Sequence, residues 1–104
     1  MTTPEFNKVV EDQLDRIRNV LVKKAVEYNL DEDRLSVFKH SAALLENTPE
    51  QALLSFACKH IISIVDMVNS KESYPEELWL EKVTDLCNYN ILLLGLLKDT
   101  GRMT

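Results

Sequence analysis

Glycine is scarce in this chain, which has only two among its 104 residues. The ordinary share is roughly 7%, and sandwiches, barrels, Rossmann folds and P-loops need glycines in their turns or phosphate-binding loops. The composition therefore argues against these folds and predicts an all-α protein. A chain of this length suits one compact domain, and no repeat or low-complexity tract indicates a second.

Caps and apolar spacing predict about four helices, at about 4–29, 34–46, 49–69 and 75–99. The first follows Thr3-Pro4, an N-cap and a proline at the first helical position, and its apolar residues recur at three- and four-residue steps. The third begins at Thr48-Pro49-Glu50-Gln51, where Thr48 and Gln51 can form a capping box. The short link after the third helix predicts that the fourth packs back against it. We therefore expect one domain over 1–104, an antiparallel helical bundle.

The third predicted helix is apolar around most of its circumference, which is typical of a central, buried helix. Its polar exceptions lie on one stripe, at i, i+4 and i+7, formed by Lys59, Ser63 and Asp66. The fourth helix carries a matching stripe of Glu77, Glu81, Asp85 and Asn88. Polar residues on two neighbouring helices are the candidates for a functional site.

Two interpretations of these stripes stay open on spacing alone. Counting residues from the turn places Lys59 level with Asp85, so the two side chains can form a buried ion pair. Alternatively, Glu81, Asp85 and Asp66 bind a divalent cation, since bundle cores hold such cations with carboxylates from facing helices.

The run from Ile91 to Leu97 is apolar on all sides of the fourth helix, and a bundle of this size covers one side of it. We therefore expect a homo-oligomer that associates through this segment.

The net charge and the hydropathy of the sequence indicate which partners and which cellular compartment to expect for this protein. A net charge of −5 argues against nucleic acid as the partner. The longest apolar run, 91–97, is far shorter than the roughly 20 residues of a membrane-spanning helix. The N-terminus lacks the pattern of a signal peptide, so we expect a cytoplasmic protein without membrane contact.

Two segments resemble small phage and prophage proteins related to the all-α, MazG-like nucleotide pyrophosphohydrolases: ACKHIISIVDMV (57–68) and LEKVTDLCNYNILLLGLL (80–97). In those proteins the last core helix reads E-K-x-x-D-x-x-N-Y followed by leucines, a pattern that Glu81 to Tyr89 match. Upstream, LVKKAVEYN (21–29) and RLSVFKHSAALLENTPEQALL (34–54) resemble the end of the first helix and the connecting helix. The resemblance spans about 14–97.

The resemblance implies a MazG-like fold and a location in the host cytoplasm. It also implies an enzyme that uses Mg²⁺ or Mn²⁺ to cleave a nucleoside or deoxynucleoside triphosphate to the monophosphate and pyrophosphate. Glu81 and Asp85 would be catalytic metal ligands. Lys59 would bind phosphate or balance the charge of the site, and Asn88 would orient the nucleotide.

The relatives also carry an E-E-x-x-E metal motif on an earlier helix, which has no counterpart here. One alternative is therefore a non-catalytic phage accessory protein of the same fold, which binds a nucleotide or a host protein through the cleft or the oligomer surface. Another is a structural interaction module in which the polar stripes form an ion-pair lock.

Overall fold

The computed structural model describes residues 1–23 and 33–103, and this part of the chain forms helices and no strand. Its α-helices are α1 (Thr3–Arg18), α2 (Ser36–Leu45), α3 (Pro49–Asn69) and α4 (Glu76–Asp99). The prediction of an all-α protein is therefore confirmed. The chain divides into two compact units, Met1–Glu32 and Asp33–Thr104, and each is described by itself. The single-domain assignment over 1–104 stays a prediction.

The first unit contains α1, which begins one residue earlier than the sequence predicts. Thr2 is the N-cap: its hydroxyl accepts a hydrogen bond from the Glu5 backbone N–H at 3.2 Å, and the Glu5 carboxylate accepts one from the Thr2 N–H at 2.7 Å. After Arg18 the helix continues as a π-helical turn, Asn19–Lys23. The predicted end of this helix near residue 29 lies outside the described residues.

The second unit begins with the short helix α2. The Asp33 carboxylate accepts a hydrogen bond from the Leu35 N–H at 2.9 Å and forms an ion pair with Lys39 at 2.5 Å. Lys39 also contacts the Asp99 carboxylate at 2.6 Å, which ties α2 to the end of α4. The helix ends at Glu46, a non-glycine residue with a left-handed φ of 55°.

The capping box at the start of α3 is confirmed. The Thr48 hydroxyl accepts from the Gln51 N–H at 3.2 Å, and the Gln51 side-chain oxygen accepts from the Thr48 N–H at 2.9 Å. This reciprocal pair satisfies two backbone donors that would otherwise lack partners. The start of α3 is therefore determined by local sequence.

Helices α2, α3 and α4 share one hydrophobic core, built around the buried side chains of Phe38, Leu53 and Leu96. The antiparallel packing of α3 and α4 is visible in two contacts. Glu50 at the start of α3 bonds to Thr100 just beyond α4, and His60, halfway along α3, contacts Asp85 in α4.

Helix α3 is not the fully buried helix that the sequence predicts. Its buried apolar residues are Ala52, Leu53, Ala57 and Met67, all on the side covered by α2 and α4. About 100° around the helix from Leu53 and Met67, Leu54 is 54% exposed, Ile61 47% and Val68 65%. The prediction is wrong because two neighbouring helices cover one face of an apolar helix and leave the rest in water.

Helix α3 is also long and apolar enough to cross a membrane, judged by length and composition. The core helix of a soluble protein can have the same length and composition. The cytoplasmic location stays a prediction.

Candidate functional site

The interface between α3 and α4 brings three polar side chains together: His60, Asp85 and Tyr89. The His60 Nδ1 atom lies 3.8 Å from Asp85 Oδ2, and the rings of His60 and Tyr89 have their centroids 5.0 Å apart at an angle of 39°. The side chains of His60 and Asp85 are 25% and 37% exposed. The cluster is therefore a partly hydrated contact at the edge of the helix pair.

The predicted ion pair between Lys59 and Asp85 is wrong, because His60 takes the place that was expected for Lys59. Consecutive residues on an α-helix point about 100° apart, so a one-residue error in level brings a different side chain to the interface. Lys59 is exposed instead. A sequence signal for His60 does exist: it continues the row of inward-facing residues Leu53, Ala57, Ile64 and Met67 at three- and four-residue steps.

Burial shifts the pKa values of two members of this cluster, Asp85 and Tyr89. Burial raises the pKa of the Asp85 carboxyl, nearby His60 opposes the rise, and Glu81 adds to it. Burial and the neighbouring Asp85 likewise raise the pKa of the Tyr89 hydroxyl. A raised carboxyl pKa means that the folded protein disfavours the charged form, and cation binding needs that charged form.

The structure does not gather the predicted metal ligands into one group. Asp66 and Glu81 are exposed, and Asp85 is half-buried beside His60. Within residues 1–23 and 33–103, no three side chains of His, Cys, Asp or Glu are placed to hold a metal ion. Magnesium in nucleotide enzymes can use one or two carboxylates together with substrate phosphates. The pair of Glu81 and Asp85, one turn apart on α4, therefore stays a predicted ligand pair.

Asn88, which the resemblance assigns to nucleotide orientation, is buried in α4 with an exposed fraction of 6%. Its side-chain Oδ1 has no hydrogen-bond partner in the described part of the chain. A buried amide oxygen without a partner costs stability. The burial also keeps Asn88 away from solvent, from which a nucleotide would approach.

The apolar run of the fourth helix is divided between core and surface. Leu96 is fully buried, and Leu92 and Leu93 pack against the core, whereas Ile91 and Leu94 are 42% and 54% exposed. The use of Ile91 to Leu97 in a homo-oligomer stays a prediction.

The most extensive functional candidate is the exposed face of α3, where five residues follow one another along the helix. We call this row the α3 stripe: Leu54, Cys58, Ile61, Val65 and Val68. Cys58 is exposed, and the other four side chains are 47% to 65% exposed. The successive steps of 4, 3, 4 and 3 residues are those of the a and d positions of a coiled coil. Sequence reasoning missed the stripe because it assigned every apolar residue of this helix to the core.

Comparison with models of protein families finds no match, and comparisons with curated proteins and with solved structures find none either.

Proposed function

We propose that this protein binds an amphipathic α-helix on the α3 stripe and works by association, without chemistry of its own. The observation that supports the proposal is an exposed apolar row in heptad spacing on α3, about 100° around the helix from the row that lies in the core. Contiguous apolar patches larger than a few hundred Å² are uncommon on soluble monomers, and the largest patch of a monomer is often an interaction site. Binding a helix along its apolar face is a recurrent mode of protein recognition.

The length and chemistry of the stripe favour a helical ligand over a nucleotide. From Leu54 to Val68 the stripe is about 21 Å long at 1.5 Å per residue, which is nearly four turns of a partner helix. Its members are apolar residues and one cysteine, and none carries a cation that would attract phosphates.

A labelled model helix tests the proposal. The probe is a synthetic 21-residue peptide with leucine at the a and d positions and glutamate and lysine elsewhere, followed by fluorescence anisotropy. We expect saturable binding, and we expect Ile61→Lys to weaken it at least tenfold because the variant places a charge in the apolar contact. The matched control is Val37→Lys, which changes an apolar residue of α2 that is 52% exposed. Equal binding by the wild-type protein and Ile61→Lys would contradict the proposal.

The pyrophosphohydrolase activity with Mg²⁺ or Mn²⁺ stays the second candidate, supported by the adjacent carboxylates of Glu81 and Asp85 on α4. Its test is pyrophosphate release from a panel of nucleoside and deoxynucleoside triphosphates, with Asp85→Asn as the control. Turnover of one nucleotide that is lost in the variant would establish the enzyme and overturn a function by association alone.

A further inference from the structure

We infer that the helix occupying the α3 stripe is α3 of a second copy of this chain, so that two chains pair through their α3 stripes. This inference names the partner of the site described above and rests on the proposed function. A symmetric dimer uses the same surface patch on both chains. The partner must therefore fit a stripe of the same spacing and the same charge.

The spacing of the α3 stripe is self-complementary. In a two-stranded coiled coil, each a or d residue inserts between four residues of the facing helix, and both helices need the same 3.5-residue repeat. The α3 stripe keeps this repeat over all five of its members without a break. A second α3 therefore supplies matching holes along the whole length of the stripe.

The residues that flank the stripe also favour pairing with an identical helix. In a coiled coil the e and g positions beside the seam meet their counterparts on the partner, and like charges there would repel. The e positions of α3, Ser55, Ile62 and Asn69, are exposed and uncharged, whereas the g positions Glu50, Ala57 and Ile64 lie on the side of α3 that faces the core. Ile62 is 55% exposed and widens the apolar surface. The charged residues Lys59 and Asp66 occupy b positions, away from the seam.

The size of the stripe indicates how tight the dimer is. Half-exposed side chains of this number provide on the order of a few hundred Å² of apolar surface per copy, whereas a standard interface uses about 800 Å² per partner. The interface of the proposed dimer is therefore small, and small interfaces of this kind are reversible. We expect a dimer that dissociates on dilution.

Sedimentation equilibrium of the full chain over a hundredfold range of concentration tests the inference. We expect the wild-type mass to rise from one chain to two with concentration, and Ile61→Lys to raise the dissociation constant at least tenfold. Val65→Lys should have the same effect, since it charges the next member of the stripe. Val37→Lys on α2 is the control and should dimerise like the wild type, and circular dichroism confirms that each variant is folded.

The outcomes separate this inference from the proposed function. A wild-type protein that stays a monomer at the highest concentration but binds the synthetic helix would overturn the dimer and leave the helix-binding function intact. A monomer that does not bind the synthetic helix would overturn both. A dimer that survives Ile61→Lys and Val65→Lys but is lost in Leu94→Lys would place the interface on α4 and overturn the inference.

Discussion

Glu50 joins the start of α3 to the segment that follows α4, and its neutralisation is the most direct test of how this helix pair is held together. Its side chain is 9% exposed. The Thr100 hydroxyl oxygen lies 2.5 Å from Glu50 Oε1 and 2.8 Å from the Leu96 carbonyl oxygen, and its one hydrogen is donated to the carboxylate, which is the stronger acceptor. Arg102 lies 3.8 Å from Glu50 Oε1, but its own side chain is 60% exposed. The hydrogen bond from Thr100 is therefore the main contact of the carboxylate.

The expected cost of Glu50→Gln follows from these contacts. A hydrogen bond to a charged group contributes about 1.5–3 kcal/mol, compared with about 1 kcal/mol for a neutral pair. The amide oxygen of glutamine can still accept from Thr100, so the variant loses the difference. The exposed Arg102 adds little, because such surface pairs contribute about 0–1 kcal/mol. We expect Glu50→Gln to lower the free energy of unfolding by about 0.5–2 kcal/mol at pH 7.

The pH dependence gives a second check. The hydrogen bond from Thr100, followed by that from the backbone N–H of Glu50 itself, lowers the pKa of the Glu50 carboxyl in the folded protein. A lowered folded-state pKa means that the stabilisation is fully present above the unfolded pKa of about 4.3. It is lost as the pH falls through the folded-state value. The difference between wild type and variant should therefore shrink towards pH 3.

Urea denaturation followed by circular dichroism at pH 7 and pH 3 measures both effects. Thr100→Val removes the donor, and the double variant should lose less than the sum of the single variants because the two residues share one bond. A Glu50→Gln protein as stable as the wild type at pH 7 would refute the reasoning. So would a difference of the same size at both pH values.

Three further predictions concern the fold and the polar cluster. Leu53→Ala should lower the free energy of unfolding, measured by urea titration, by about 2–5 kcal/mol because it leaves a cavity in the core. The control is Leu44→Ala, at a residue that is 84% exposed, which should change the free energy of unfolding by less than about 0.5 kcal/mol. Glu46→Gly should raise the midpoint of thermal unfolding by relieving the left-handed backbone, a gain of about 1 kcal/mol, and Glu46→Ala should not. Burial raises the pKa of the Asp85 carboxyl in the folded protein. The contribution of this group to stability is therefore present below its unfolded pKa and is lost as the pH rises through its folded-state pKa. Because the side chain is partly exposed, solvent screening keeps the effect small. Asp85→Asn should therefore match or exceed wild-type stability at pH 7 by up to about 1 kcal/mol, and a clear loss would show instead that the contact with His60 stabilises the fold.

Helix boundaries were predictable because the signals that set them are local. Helix α3 begins and ends where the sequence predicts, since Thr48, Pro49 and Gln51 contain all the chemistry of its cap. The one-residue shift at the start of α1 has a local cause as well. A capping box needs Glu or Gln three positions after the cap, and Glu5 stands in that relation to Thr2 and not to Thr3.

The rotation of α3 about its axis was not predictable in the same way. The helix carries two apolar rows in heptad spacing, one through Leu53 and Ala57 and one through Leu54 and Ile61. Local sequence favours neither, because both rows are long and apolar. The choice depends on packing against α2 and α4, which are distant in sequence. The same uncertainty about the rotation of α3 led the sequence prediction to place Lys59 opposite Asp85, where the structure has His60.

The exposed thiol of Cys58 gives the α3 stripe a natural chemical reporter. Cys58 lies within the stripe, whereas Cys87, on α4, is half-buried. An accessible cysteine attacks alkylating reagents through its thiolate form, so the labelling rate of Cys58 measures how much of the time this face is open to solvent. A helix that binds to the α3 stripe slows the labelling of Cys58, and Cys87 provides an internal reference in the same molecule. The unmodified sequence can thus record the occupancy of its own binding surface.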